Sequence, residues 1–292
     1  MTISCMWEGP ADLGEGPVWH AHEQALYWID IAGCTVHRLD CLKQQHRMWL
    51  MPAVVGALVP CLEGGVIAAV GRSLVHIDEG QQTVLLTFPP FELPELRFND
   101  AKCDRQGRLW LGVAHATLEN PRGALYRVDP DGRITQHEQG ITISNGLGFS
   151  PDDRTFYYTD GLRYRIYAYD FDAVRGELSH KRVFAELPEG GAEPDGLTVD
   201  ALGYVWAAEW NAGRVVRYAP DGVVDRVVEM PVARPTSCIF GGEAYRTLYI
   251  TSCSRGIGEE IRLASPAGGV FAYEPGVSGL PEPGFSLETI SV

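Results

Sequence analysis

The sequence predicts an all-β chain, a six-bladed β-propeller closed by strands from both termini, as one domain over residues 1–292. Three observations carry that prediction. A strand–turn–strand pattern recurs at intervals of about 40 to 50 residues, the spacing of propeller or solenoid repeats. Each interval holds about four strand-like pieces, which suits a blade of four antiparallel strands. Helical periodicity is nearly absent.

The elements follow in order. ISCMW (residues 3–7) reads as a lone strand ahead of the first repeat, GEGPVWHAHEQALYWID, which begins at Gly14. A weaker copy, VGALVPCLEGGVIAAV, begins at Val55. The third, FNDAKCDRQGRLWLG from Phe98, is followed by GALYRVDPDGRITQHEQ (123–139), whose Asp-Gly pair is a hairpin turn. The fourth, SNGLGFSPDDRTFYYTD (144–160), shows the pattern most clearly. A short apolar strand (146–149) meets the turn Ser150-Pro151-Asp152-Asp153, and an aromatic-rich strand (155–159) returns. Proline presets φ in such a turn, while Asp and Ser hydrogen-bond their own backbone. RIYAYDFD (165–172) and LSHKRVFAEL (178–187) complete that unit. The fifth copy, PDGLTVDALGYVWAAEW from Pro194, leads into GRVVRYAPDGVVDRVVEM (213–230) with a second Asp-Gly turn. The sixth is TSCIFGGEAYRTLYITS from Thr236. FSLETISV (285–292) reads as a strand after the last repeat, and it is expected to share a blade with residues 3–7 so that both ends close the ring.

Composition agrees with this fold and bounds the function. The 33 glycines and 19 prolines suit a turn-dense β protein. With 24 basic against 38 acidic residues the net charge is −14, which argues against nucleic acid, whose binding leans on basic patches. The start, MTISCMWEGPADLG, lacks the basic and apolar runs of an export signal. No stretch approaches the roughly 20 apolar residues of a membrane-spanning helix. Seven cysteines with no CxxC pair read as buried, reduced thiols. A cytoplasmic protein with no membrane association and no obligate protein partner is expected.

One repeat position carries the chemistry. It lies just before the inner strand of each unit and is filled by Glu15, Gly56, Asn99, Asn145, Asp195 and Ser237. In a propeller these residues converge on one mouth of the central channel. A polar residue before a strand is ordinarily a turn former bonding its own backbone, but Glu at position 15 is a poor choice for that task. A following glycine at Gly16, Gly146 and Gly196 also suggests a backbone bent to aim the side chain. Glu15, Asn145 and Asp195 supply only oxygen donors, which suit a hard divalent cation such as calcium, magnesium or manganese. Asp30, Asp160 and Glu209 form a second aligned set one strand out. Tying down strand ends through backbone hydrogen bonds is the favoured role for them, and orienting the cation's ligands is the alternative.

GEGPVW with LYWID, RFND, SNGLGFSPD with YYTD, and PDGLTVD together resemble the family of gluconolactonases, senescence marker protein (regucalcin) and luciferin-regenerating enzyme, along essentially the whole chain. The resemblance implies a six-bladed propeller with one divalent cation, its identity open among calcium, zinc, manganese, magnesium and iron. It implies hydrolysis of a sugar lactone (a xylono-, arabino-, galactono- or gluconolactone) to the aldonic acid. It places the metal ligands on Glu15, Asn145 and Asp195, and substrate contacts on Arg97 and Asn99. Asp195 is expected to act as general base, with hydroxide on the cation as the alternative nucleophile. Animal members of that family carry an acidic pair after the third blade's second strand. Here the segment reads GVAHATLENPRG (112–123), with Ala116 and Thr117 at those places and His115 and Glu119 nearby as substitutes. Two other classes share the fold: a non-enzymatic calcium-binding regulator using the same ligands, and an interaction scaffold, which has no reason to gather them.

Overall fold

The computed structural model describes residues 2–88, 95–118, 121–258 and 265–287, and these form six four-stranded antiparallel sheets arranged as a ring. The first blade is β2 (Gly14–His20), β3 (Ala25–Asp30), β4 (Thr35–Asp40) and β5 (Gln45–Leu50). The second is β6 (Val55–Pro60), β7 (Val66–Val70), β8 (Ser73–Asp78) and β9 (Gln81–Thr87), and the third is β10 (Leu96–Cys103), β11 (Leu109–His115), β12 (Gly123–Val128) and β13 (Ile134–Ile141). The fourth comprises β14 (Ser144–Phe149), β15 (Thr155–Asp160), β16 (Arg165–Asp172) and β17 (Glu177–Glu186). The fifth comprises β18 (Glu193–Val199), β19 (Val205–Trp210), β20 (Arg214–Tyr218) and β21 (Val224–Glu229). Helix among the described residues is confined to two single 3₁₀ turns, Gly161–Arg163 and Glu243–Tyr245.

The sixth blade closes the ring. Its sheet runs β22 (Pro235–Gly241), β23 (Thr247–Ser252), β24 (Val270–Tyr273) and then β1 (Ser4–Trp7), so the first strand of the chain is the outermost strand of the last blade. Ser4 pairs with Ala272 and Cys5 with Phe271. Trp7 packs its ring 5.1 Å from that of Trp28 in the first blade, which locks the seam between the two ends.

The expected role of residues 285–292 needs correction. Strand β1 is in the closing blade as predicted, but its partner is β24 rather than this segment. Phe285 instead makes a parallel bridge to Cys61, with its N–H donating to the Pro60 carbonyl (2.8 Å) and its carbonyl accepting from Leu62 N–H (3.0 Å). Residues 288–292 lie outside the described residues. The approach to Phe285 crosses the far end of the channel: Ala201 N–H donates to Ser278, Gly279 N–H to Tyr245, and Glu282 pairs with Lys102 at 3.1 Å. Burial explains the departure. Phe285 is fully buried in the core between the second and third blades, beside Val59, Phe98 and Leu111, and a buried Phe side chain contributes about 1.5–3 kcal/mol over an exposed one.

The core sits between blades, because each sheet is apolar on both faces near the axis. The inner strands β6 and β14 are buried throughout, whereas the outer strand β5 is mostly exposed. Trp28, Trp110 and Trp206, all fully buried, occupy matching second strands. Two are held by a repeated clamp. Asp104 accepts from Trp110 Nε1 (2.9 Å) and Arg108 Nε (2.6 Å), while Asp200 accepts from Trp206 Nε1 (3.0 Å) and Arg217 Nη2 (2.6 Å). Each carboxylate also takes the N–H groups of its own turn, so a buried charge has its lone pairs filled. All seven cysteines are free. No helix among the described residues is long and apolar enough to cross a membrane.

Candidate active site

The repeat residues do not stand before the inner strands, as expected, but inside them, at a break in register. Strand pairing jumps between Glu15 and Val18, between Phe98 and Ala101, between Ser144 and Leu147, and between Pro194 and Leu197. It also jumps between Val55 and Ala57 and between Pro235 and Ser237. A bulge inserts an extra residue, bends the strand and redirects the side chain, and here it turns Glu15, Asn99, Asn145 and Asp195 toward the axis. Two glycines make the turn possible. Gly16 has φ +51, where a side chain is strained, and a Cβ on Gly146 would lie 2.5 Å from Leu197 N on the next blade.

These four residues form the floor of a pocket of about 270 Å³ at the channel mouth. Gly56 and Ser237 stay outside it. A Cβ on Gly56 would lie 2.1 Å from the Phe98 carbonyl, so that position serves blade contact, and Ser237 lines a much smaller cavity deeper in the channel. Two residues earlier in the chain than each of these, Leu13, Arg97, Ile143 and Glu193 form an upper tier, Arg97 and Glu193 on β10 and β18 and the other two just ahead of β2 and β14. Trp210 and Arg255 complete the wall on the fifth and sixth blades, and Ala116 and Leu118 on the third.

A hydrogen-bonded chain sets the amides. Arg97 Nη1 donates to Asn99 Oδ1 and, at 3.2 Å, to the Phe98 carbonyl. Asn99 Nδ2 then donates to the Ser144 carbonyl (2.7 Å) and to Asn145 Oδ1 (2.6 Å). A carbonyl oxygen has two lone pairs, so Asn145 Oδ1 keeps one for a further partner. Asn99 thus orients Asn145 as well as lining the pocket.

The carboxylates are far from their ordinary states. Burial, with the nearby charge of Asp100, pushes Glu15 up to about 8, against the Gly16 N–H and the Arg97 charge. Burial, then Glu15, Asp100 and Glu193, hold Asp195 well above the usual carboxylate range, with Arg97 opposing. Burial also pulls Arg97 down, against the attraction of Glu15 and Asp195. Two acids share the pocket with one half-buried guanidinium to offset them, so negative charge is in excess. That excess and the all-oxygen donor set fit a divalent cation. No three His, Cys, Asp or Glu side chains gather to hold a metal among the described residues, so a cation here would need a donor of another type, and Asn145 is placed to supply it.

The remaining sequence-predicted residues sort as follows. Asp30 accepts from the N–H groups of Asp12 (2.9 Å), Leu13 (3.0 Å) and Gly33 (3.0 Å), and Asp160 from those of Thr142 (3.1 Å) and Ile143 (3.2 Å). Both tie down strand ends, the favoured role. Glu209 is held by side chains instead, Arg214 Nε (2.6 Å) and Tyr218 OH (2.7 Å). His115 is buried at the end of β11, its Nδ1 3.0 Å from Thr117 Oγ1, and does not line the pocket; Glu119 lies outside the described residues. The Ser144 hydroxyl accepts from Tyr158 OH at 2.6 Å, and no histidine lines the pocket. Glu193, Trp210, Arg255 and Asp100 were not picked out from sequence. Glu193 had a signal, since it occupies on β18 the place that Arg97 occupies on β10. Burial raises it, against the charge of Arg234. Asp100 points deeper, where burial pushes it up to about 6 against Lys102.

Comparison with known proteins adds a family match, two relatives and a solved structure. Residues 13–254 match the SMP-30/Gluconolactonase/LRE-like region. A pentonolactonase of Haloferax volcanii is 33% identical over 292 residues, covering 97% of this chain and 97% of that protein. A 6-deoxy-6-sulfogluconolactonase of Pseudomonas putida is 36% identical over 288 residues, covering 98% and 99%. The crystal structure of a calcium-binding protein, regucalcin, from Agrobacterium tumefaciens superimposes with a TM-score of 0.90 at 28% identity, covering 96% of each chain.

Proposed function

The chain belongs to the SMP-30/gluconolactonase/LRE-like family and is a lactonase-type hydrolase, and we propose that it opens the lactone of a sugar acid to the free aldonic acid with one divalent cation at the channel mouth. The observation that carries this is the pair of acids, Glu15 and Asp195, lining one pocket with Asn145 and Arg97, Glu15 raised by burial and Asp100, and Asp195 by burial and Glu15. Pentonolactonase and sulfogluconolactonase relatives support a sugar-lactone substrate, and the calcium-binding relative supports a divalent cation. Glu15, Asn145 and Asp195 would hold the ion. When bound, it neutralises the two carboxylates and polarises the lactone carbonyl.

The chain's own groups then have distinct tasks. Asp195, in a low-dielectric site, takes a proton from the water that attacks the lactone carbonyl carbon and returns it to the ring oxygen as the acyl–oxygen bond breaks. Arg97 and Asn99 grip the lactone from the third blade, the guanidinium donating to its ring oxygens and hydroxyls. The aliphatic wall of Leu13, Ile143 and Leu118 shields the site from bulk water, so those polar contacts act at low dielectric. Calorimetry tests the ligand set. Glu15→Gln and Asp195→Asn are each expected to weaken divalent-cation binding by tenfold or more, and undiminished binding in either variant would remove that residue from the set.

A further inference from the structure

The two-tier pocket assigns a task to the side chain that stands above Asp195. In the upper tier Leu13 and Ile143 are apolar, and Arg97 and Glu193 are the charged members. Arg97 donates through Nη1 to Asn99 and the Phe98 carbonyl, and it is a donor, whereas Glu193 can only accept. Glu193 is half-buried, and its carboxylate makes no hydrogen bond or ion pair with the described residues, its charge being opposed by Arg234 from a distance. The cation nearest in effect, Arg234, is engaged elsewhere: its Nε donates to Asn211 Oδ1 at 2.9 Å, its Nη1 to the Arg255 carbonyl, and its guanidinium lies 5.2 Å from the centre of the Trp210 ring. A half-buried carboxylate without a partner is costly, and a ligand that donates to it recovers that cost. Beside it stands Trp210, its register partner on β19, half-buried and lining the same pocket. On the third-blade side Ala116 and Leu118 offer no side-chain hydrogen bond.

We propose that Glu193 is the specificity-determining residue of this site. Its two oxygens accept hydrogen bonds from hydroxyl groups of the sugar lactone, and the Trp210 ring carries the apolar C–H side of the same sugar. The hydroxyl-bearing edge of the substrate therefore faces the fifth blade, and the third-blade loop contributes shape alone. A lactone without hydroxyls leaves Glu193 desolvated and unpaired, and such a site discriminates strongly against it. This inference rests on the lactonase reading above.

The test uses the full-length, cation-loaded protein as wild type, Glu193→Ala and Glu193→Gln. kcat/KM is measured for glucono-1,5-lactone and for δ-valerolactone, which has the same ring size and no hydroxyls, and binding of 1,5-anhydroglucitol is followed by calorimetry. In Glu193→Ala the ratio of kcat/KM for sugar lactone over plain lactone is expected to fall at least about tenfold, chiefly through KM. Glu193→Gln, with one accepting oxygen left and the same shape, should fall less. An equal loss for both lactones, or no change in the ratio, overturns the proposal. Should the wild type hydrolyse neither lactone, glucono-1,5-lactone is not its substrate, a failure separate from that of Glu193. Glu193 is then judged on anhydroglucitol: affinity about tenfold weaker in Glu193→Ala supports it, and unchanged or undetectable binding refutes it.

Discussion

Replacing Glu15 by glutamine is expected to stabilise the cation-free protein while destroying its response to cation. Burial and neighbouring negative charge move this carboxyl from its ordinary 4.5 to about 8 in the folded state. Below pH 4.5 the group is protonated whether the chain is folded or not, and it contributes nothing to the pH dependence. Above that the unfolded chain ionises while the folded chain holds its proton, so stability falls as pH rises until the folded group ionises too, near pH 8. At pH 7 the interval is about 2.5 pH units, and at about 1.4 kcal/mol each the cost is about 3 kcal/mol. Glutamine keeps the shape and the neutral state, and it removes that cost. Urea unfolding in chelator, at pH 5 and pH 7, should show Glu15→Gln gaining on the wild type by up to about 3 kcal/mol at pH 7 and by much less at pH 5. The wild type with cation at a hundred times its dissociation constant should gain about 2.7 kcal/mol, and the variant little of it. If the chelated variant is no more stable than the wild type at pH 7, or gains as much from cation, Glu15 does not carry the strain described.

Three other substitutions separate substrate grip, cation binding and fold. Arg97→Ala should keep cation binding and lose about 10- to 100-fold in kcat/KM, as expected for a charged hydrogen bond of about 1.5–3 kcal/mol; Asn99→Ala, which also frees Asn145, should weaken cation binding as well, and calorimetry beside kinetics tells them apart. Phe285→Ala should destabilise the fold by about 3–5 kcal/mol in urea, because the side chain is fully buried between the second and third blades. A cost below about 1 kcal/mol would show that the segment crossing the channel is dispensable.

The ring of blades is legible in the sequence because each repeat carries its own turn chemistry, from Ser150-Pro151-Asp152-Asp153 to the two Asp-Gly pairs. The convergence of Glu15, Asn99, Asn145 and Asp195 is legible because they share one repeat position. Their bulged placement inside the strands is not, since a bulge differs from a strand start by a single unpaired residue, and only cross-strand register reveals it. Phe285 was misplaced because a strand-like stretch at a chain end does not say against which blade it lies. Glu193 was passed over for a related reason. The glycine after Asp195 marks that residue, while a charged residue two places earlier looks like ordinary solvent-facing surface until the pocket wall is seen. The segment around His115 misled in the other direction, because proximity along the chain placed the histidine near the mouth whereas strand alternation turns it into the blade.

The most direct test of the account is acid release from a panel of pentono- and hexonolactones by metal-stripped protein, with each divalent ion restored in turn, for the wild type and for Asp195→Asn at saturating ion. The stripped wild type should release no acid above the spontaneous rate, and one or more ions should restore turnover by at least about 100-fold. Asp195→Asn should stay about 100-fold or more below the wild type even when loaded, since the amide cannot accept the water's proton. Full turnover without metal, or a loaded Asp195→Asn variant with near-normal kcat, would contradict the assignment of the channel mouth as a cation-dependent lactonase centre with Asp195 as its base.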